Sequence, residues 1–203
     1  MLNKYSKAFG KENYPALLKR EIFIDGEINE ELANKIVAQL LFLESEDSKK
    51  DIYLYLNSPG GSVNSGLAIF DTIQYIKPDV QTICDDSVSG IASFILCGGK
   101  KGKRKCFENS RISLCKLSKN GTYFDESNFR DLSTSQKEIF EDEKTFKECL
   151  RASNTIQYKL SEMTGQNIER IKEDSKYWSD YDDHYLSPTE AKAYGVIDQI
   201  LER

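Results

Sequence analysis

Two short stretches of this 203-residue chain bring small and hydroxyl residues together, which tight turns or chemistry could both use. The first, Asn57-Ser58-Pro59-Gly60-Gly61, follows the β-rich run Asp51 to Leu56. Paired glycines after a strand let the backbone approach a ligand closely and turn N–H groups outward, or simply make a tight turn. The second is Ser87-Val88-Ser89-Gly90-Ile91. A hydroxyl nucleophile needs a base, and the chain holds a single histidine, His184, directly after Asp183. Any Ser-His-Asp site must therefore use His184. The plainer reading of a lone histidine is a surface or hydrogen-bonded residue.

The five cysteines are Cys84, Cys97, Cys106, Cys115 and Cys149. Their number is odd and no C-x-x-C pair occurs, which argues against a disulfide framework or a zinc site and for reduced thiols. Cys84 and Cys97 lie in apolar runs and are expected to be buried small hydrophobes. A reactive thiolate at Cys115 would need a neighbouring base. No motif calls for a metal or a cofactor.

The elements that would position these residues follow from periodicity. Glu21 to Ile24 reads as a strand. Asn29 to Leu43 repeats Leu32, Ile36, Val37, Leu40, Leu41 and Leu43 at helical spacing, with Glu30 and Glu31 suiting the helix dipole. Asp51 to Leu56 is a strand broken by Pro59 and the glycines. Ser62 to Ile76 is helical, Val80 to Cys84 a strand, and Val88 to Leu96 an apolar run that suits a buried helix. Lys105–Phe107 and Arg111–Leu114 read as short strands. This alternation implies right-handed βαβ units around a mostly parallel sheet. Lys116 to Asn128 is polar and turn-rich, and Phe129 to about Met163 reads as one long helix with an apolar stripe. Ser187-Pro188-Thr189-Glu190 is a capping box with proline at the first helical position, and Gly195 ends that helix before a last strand, Val196 to Leu201.

Composition narrows the function classes. Apolar residues make up 39% and charged residues 30%, at a net charge of −5. A nucleic-acid partner gains no support from that charge. The run Lys100, Lys101, Lys103, Arg104, Lys105 reads as a solvated basic turn, because no aromatics interleave with it. No stretch approaches the roughly 20 apolar residues of a membrane span, and no signal peptide is visible.

Longer blocks of sequence carry a family resemblance. They are Leu17-Leu18-Lys19-Arg20-Glu21-Ile22-Phe23, Ile36 to Glu46, Ile52 to Val63, Ile76 to Val80, Thr82-Ile83-Cys84, Lys101 to Arg104, Asn109 to Ile112, Leu186-Ser187, and Tyr194 to Asp198. Together they resemble the proteolytic subunit of the Clp serine protease. The resemblance implies an α/β fold of the ClpP/crotonase type, with repeated βαβ units and a long handle helix. It divides the chain into a flexible tail over 1–15 and one domain over 16–203, with a lengthened handle region at about 116–163.

The same resemblance assigns roles residue by residue. Gly61 and the N–H of Ile91 take the oxyanion-hole positions. The family's nucleophile is the serine of an Ala-Ala-Ser-Met-Gly motif, and ungapped register from Thr82-Ile83-Cys84 to Lys101-Gly102-Lys103-Arg104 puts Gly90 there. The family's histidine falls at Cys115. The acid falls at Asp183, with Asp182 as the alternative. Serine and histidine are thus both replaced, a pattern similar to the non-catalytic ClpR group of cyanobacteria and plastids. It implies a silent subunit of an ATP-dependent Clp complex with a structural or regulatory role in protein degradation and quality control. It further implies a plastid-type organelle or a bacterial cytoplasm. The implied partners are other copies in a seven-membered ring, an active ClpP-type subunit, and an AAA+ ATPase. The family docks that ATPase through an apolar pocket, here Tyr53, Tyr55, Ile83, Asp85, Lys105 and Phe107. Asp85 and Lys105 break its apolar character and must be paired, with each other in the simplest case, or solvated. Two alternatives remain open: an active peptidase using Ser89 or Cys115, and a crotonase-like acyl-CoA enzyme.

Overall fold

The computed structural model describes residues 14–114, 118–119, 122–123, 143–177 and 185–202. In chain order the elements are α1 (Tyr14–Leu18), β1 (Glu21–Asp25), α2 (Glu30–Glu46), β2 (Ile52–Ser58), α3 (Val63–Tyr75), β3 (Val80–Val88) and α4 (Ile91–Cys97). There follow β4 (Lys105–Phe107), β5 (Arg111–Ile112), β6 (Ser118–Lys119), β7 (Thr122–Tyr123), α5 (Glu143–Thr164), α6 (Ile168–Tyr177), α7 (Pro188–Tyr194) and β8 (Gln199–Leu201). The main sheet is parallel, in the order β1-β2-β3-β4-β8, with β5 also on β3. The α/β architecture expected from the alternation is therefore present.

Caps and alternation explain these elements. The Asn29 side chain accepts from the Leu32 N–H and starts α2, and Ser62 does the same for α3 through Ser65. At α7, Ser187 and Glu190 cap each other reciprocally behind Pro188, and Gly195 ends the helix at φ 91°. Along the strands, Ile22, Ile24, Leu54, Leu56, Cys84 and Cys106 all point to one face and are almost fully buried. Helices α2, α3 and α4 pack side by side on that face. Emptying one such position, as in Leu54→Ala, removes about 2–5 kcal/mol.

Three expected boundaries move, and one helix was not expected. Helix α1 begins at Tyr14, inside the stretch expected as a loose tail. Strand β3 runs to Val88, and α4 starts only at Ile91, because Gly90 at positive φ separates strand from helix within one apolar run. Helix α6, which the polar sequence 168–177 did not announce, follows the handle. The handle helix is described from Glu143, so the expected start at Phe129 lies outside the described residues.

Two arginines tie the layers together. Arg20, at a left-handed φ of 63°, donates to the carbonyls of Leu43, Asp47, Lys50 and Asp51. Its planar fork thus closes the C-terminus of α2 and the turn into β2. Arg104, whose side chain is 3% exposed, holds Asp198 through two nitrogens and donates to the Met163 carbonyl at 3.0 Å. One side chain therefore joins β4, the handle α5 and the approach to β8.

Burial alone would raise the Asp198 carboxyl, but hydrogen bonds from Arg104 and the Gly102 amide hold it below its ordinary range. A lowered folded value means stability that is present above the unfolded value of about 3.9 and lost as pH falls through the folded one. Arg104→Ala takes the cation from a partly buried carboxylate, leaving it only backbone donors, and is expected to cost about 3–5 kcal/mol. Thermal unfolding should show a Tm lower by roughly 6–20 °C. Asp198→Asn should flatten the acid limb of the stability curve below about pH 4. An unchanged Tm and acid limb would contradict the linchpin role.

Candidate functional site

The site is built where the two stretches first singled out come together, at the C-terminal ends of β2 and β3. The turn 59–61 leaves β2 with Gly60 at φ 99° and Gly61 at φ 139°. A Cβ on Gly61 would lie 2.3 Å from the Ile28 carbonyl oxygen, so only glycine fits. A Cβ on Gly60 would lie 3.0 Å from the Ser89 carbonyl oxygen and 3.2 Å from the Ile91 nitrogen. The two turns are thus in van der Waals contact through their backbones.

Hydrogen bonds fix that contact. The Ser89 N–H donates to the Ser58 carbonyl at 3.0 Å. The Ser89 hydroxyl donates to the Pro59 carbonyl at 2.8 Å. The Gly60 N–H donates to the Ser58 hydroxyl at 3.1 Å. Ile28 brackets Gly61 by donating to Gly60 and accepting from Ser62, each at 2.7 Å. The N–H groups of Gly61 and Ile91 find no acceptor among the described residues. Both positions expected for an oxyanion hole therefore present backbone donors with no acceptor among the described residues.

Between β3 and α4, Gly90 takes φ 54°, ψ −135° as the N-cap of α4 and makes no side-chain cap bond. This is a sharp strand-to-helix elbow, the geometry that pushes a nucleophile's side chain out of the backbone. Gly90 has no such side chain. A Cβ there would meet only the Pro59 oxygen at 3.4 Å and the Gly60 Cα at 3.7 Å, so the space exists. The neighbouring Ser89 hydroxyl is committed to Pro59.

The partners expected for a nucleophile, Cys115 and Asp183, lie outside the described residues, as do Asp182 and His184. The described chain on either side is joined directly. Leu186 donates to the Ile112 carbonyl at 2.8 Å, and Ile112 donates back at 3.3 Å. The Arg111 guanidinium lies 4.9 Å from the centre of the Tyr185 ring.

The other predicted positions resolve as follows. Burial pushes the Cys84 and Cys97 thiols up to about 12 and Cys106 up to about 11, which makes them inert. No cluster that could hold a metal occurs among the described residues. In the basic run, Lys100 pairs with Asp79, Lys103 with Asp51 and Asp79, and Arg104 with Asp198; the solvated-turn reading fits the exposed Lys100 and Lys101 but not Arg104, which is buried because it joins Asp198 and the handle. Lys105 donates to Gln81 at 2.8 Å rather than pairing with Asp85, which is exposed. Register places the six pocket positions on one face of the sheet, with Tyr53 and Tyr55 on β2, Ile83 and Asp85 on β3, and Lys105 and Phe107 on β4.

Sequence reasoning missed the acceptor of the Ser89 hydroxyl, since hydrogen bonding between two turns leaves no periodic signal. It also missed a bulge: from Leu56–Cys84 to Ser58–Val88, β3 advances four residues while β2 advances two, and Asp85 and Asp86 are exposed there.

Placing serine at Gly90 should be sterically accepted but strained by the positive φ, at about 1–3 kcal/mol. Gly90→Ser is expected to lower Tm by roughly 2–12 °C without changing secondary structure by circular dichroism. A Tm at or above that of the parent would show that the elbow does not hold this conformation.

The sequence model of the Clp protease family matches residues 10–203, nearly the whole chain. With the parallel sheet, the glycine turn and the elbow in place, the chain belongs to the Clp protease family.

Proposed function

We propose that this chain is a catalytically silent, ClpR-type subunit of an ATP-dependent Clp proteolytic assembly. The observation that carries the reading is Gly90 at the elbow: the backbone is shaped to display a nucleophile, and the residue that fills it has none. Serine-type hydrolysis needs a nucleophile, a base to take its proton, and donors for the tetrahedral oxyanion. The third requirement has candidates in the Gly61 and Ile91 amides. The first has none at its family position. The second has none among the described residues, because the sole histidine is His184.

A subunit of this kind contributes scaffold rather than turnover. Its expected place is a ring, either of its own copies or beside an active ClpP-type subunit, where it would dilute active sites and alter the chaperone-facing surface. Loss of chemistry with retention of the core and both turns is what such a role requires. The alternative nucleophile Ser89 is disfavoured because its hydroxyl donates to Pro59.

The test is a fluorogenic-peptide assay on the purified chain. No turnover above the protein-free rate is expected, and Gly90→Ser alone should not create it, since no base is supplied. Turnover by the parent chain that is lost in Ser89→Ala or Cys115→Ala would overturn the proposal.

A further inference from the structure

Strand β1 ends the main sheet, with β2 on one side and no described strand on the other. In a parallel ladder alternate residues address the same neighbour. The Tyr53 N–H donates to the Arg20 carbonyl and the Gly26 N–H to the Asn57 carbonyl, so positions 20, 22, 24 and 26 face β2. The backbone N–H and C=O groups of Glu21, Phe23 and Asp25 therefore point away from the sheet, and none finds a partner among the described residues. An open edge of this kind is a template for another strand.

Side chains restrict what can pair there. Glu21, Phe23 and Asp25 share one face of β1, and Ile22 and Ile24 are buried on the other. The β1 strand of a second copy, running antiparallel, would set Glu21 against Asp25 at both ends, and like charges directly opposite are destabilising. The complementary strand carries two cations four residues apart, with an apolar residue midway between them. Small residues suit its two remaining positions, which fall on the helix-covered face. Lys7-Ala8-Phe9-Gly10-Lys11, ahead of α1, has that order.

We propose that Lys7–Lys11 of the same chain, which lies outside the described residues, pairs antiparallel with the free edge of β1. The register sets Lys11 opposite Glu21, Phe9 opposite Phe23 and Lys7 opposite Asp25. Each outward-facing residue of β1 then belongs to a hydrogen-bonded pair, which exchanges both backbone bonds. An ion pair closes each end and an aromatic pair the centre. The connection is long enough. Residues 12–20 separate the two strands, and α1 takes five of them. That helix rises only about 7.5 Å, and the other four residues reach roughly 13 Å. Docking closes the open edge against other chains. It rests on the backbone of β1 and does not depend on the catalytic reading.

The test is amide hydrogen exchange on the full chain, resolved to single residues by mass spectrometry. The amides of Glu21, Phe23 and Asp25 should exchange more slowly than unstructured amides, although β2 does not engage them. Lys7→Glu combined with Lys11→Glu should speed these three by roughly two- to thirtyfold, as the loss of two cross-strand ion pairs predicts. Ile22 and Ile24, held by β2, should stay slow and so report that β1 remains folded. Adding Glu21→Lys and Asp25→Lys to that variant should restore slow exchange by reversing both charges of each pair. Unstructured rates at the three amides in the parent chain, protection that survives the two lysine changes, or a charge reversal that restores nothing would each overturn the proposal. Protection that rises with protein concentration would overturn it too, by assigning the edge to a second copy. The readout is confined to β1, so it stands apart from the outcome of the peptidase assay.

Discussion

The contact between turns 58–61 and 89–91 is the constraint on which the site depends. Gly60 must lack a side chain for the Ser89 carbonyl and the Ile91 nitrogen to approach it. Gly61 must lack one because Ile28 fills the space. Ser58, Pro59 and Ser89 then exchange hydrogen bonds that fix the elbow relative to the glycine turn. Apart from the Ser58 and Ser89 hydroxyls this is backbone architecture, and none of it requires a side chain at position 90. With glycine at position 90, the left-handed conformation carries no strain, and the elbow persists without the cost an active serine would bear.

The rest of the molecule holds that contact in place. β2 and β3 deliver the two turns because they are neighbours in a parallel sheet, and the apolar face beneath them is continuous from Ile22 to Cys106. Arg20 fixes the entry into β2 by collecting four carbonyls at once. Arg104 fixes the far side by binding Asp198 and the end of the handle together. These are the sites where an otherwise ordinary core spends charge, and each does so with all three guanidinium nitrogens engaged.

Much of this was legible in the sequence. The α2 and α3 periodicities, the Ser187–Glu190 capping box and the broken strand at Pro59 each signal structure locally, so they survive folding unchanged. The elbow was only half legible. Val88 to Leu96 is one apolar run, and periodicity cannot show that it is the end of a strand, a left-handed glycine and a buried helix in succession. Helix α6 was missed because its residues are polar and its partner is the handle. The Lys105 contact was misassigned because sequence spacing favours Asp85, whereas parallel register and the exposed bulge leave Gln81 within reach. Arg20 could not be read at all, since its acceptors are backbone carbonyls scattered over 43–51.

The central claim is that the elbow displays nothing that can attack a carbonyl. The most direct measurement is intact-mass spectrometry of the full chain after treatment with an electrophilic peptide lactone, which acylates an activated hydroxyl or thiol alike. The account predicts an unmodified mass, because Gly90 offers no nucleophile, Ser89 donates to Pro59 and the core thiols are buried. A stoichiometric adduct mapped to Ser89 or Cys115 would contradict it.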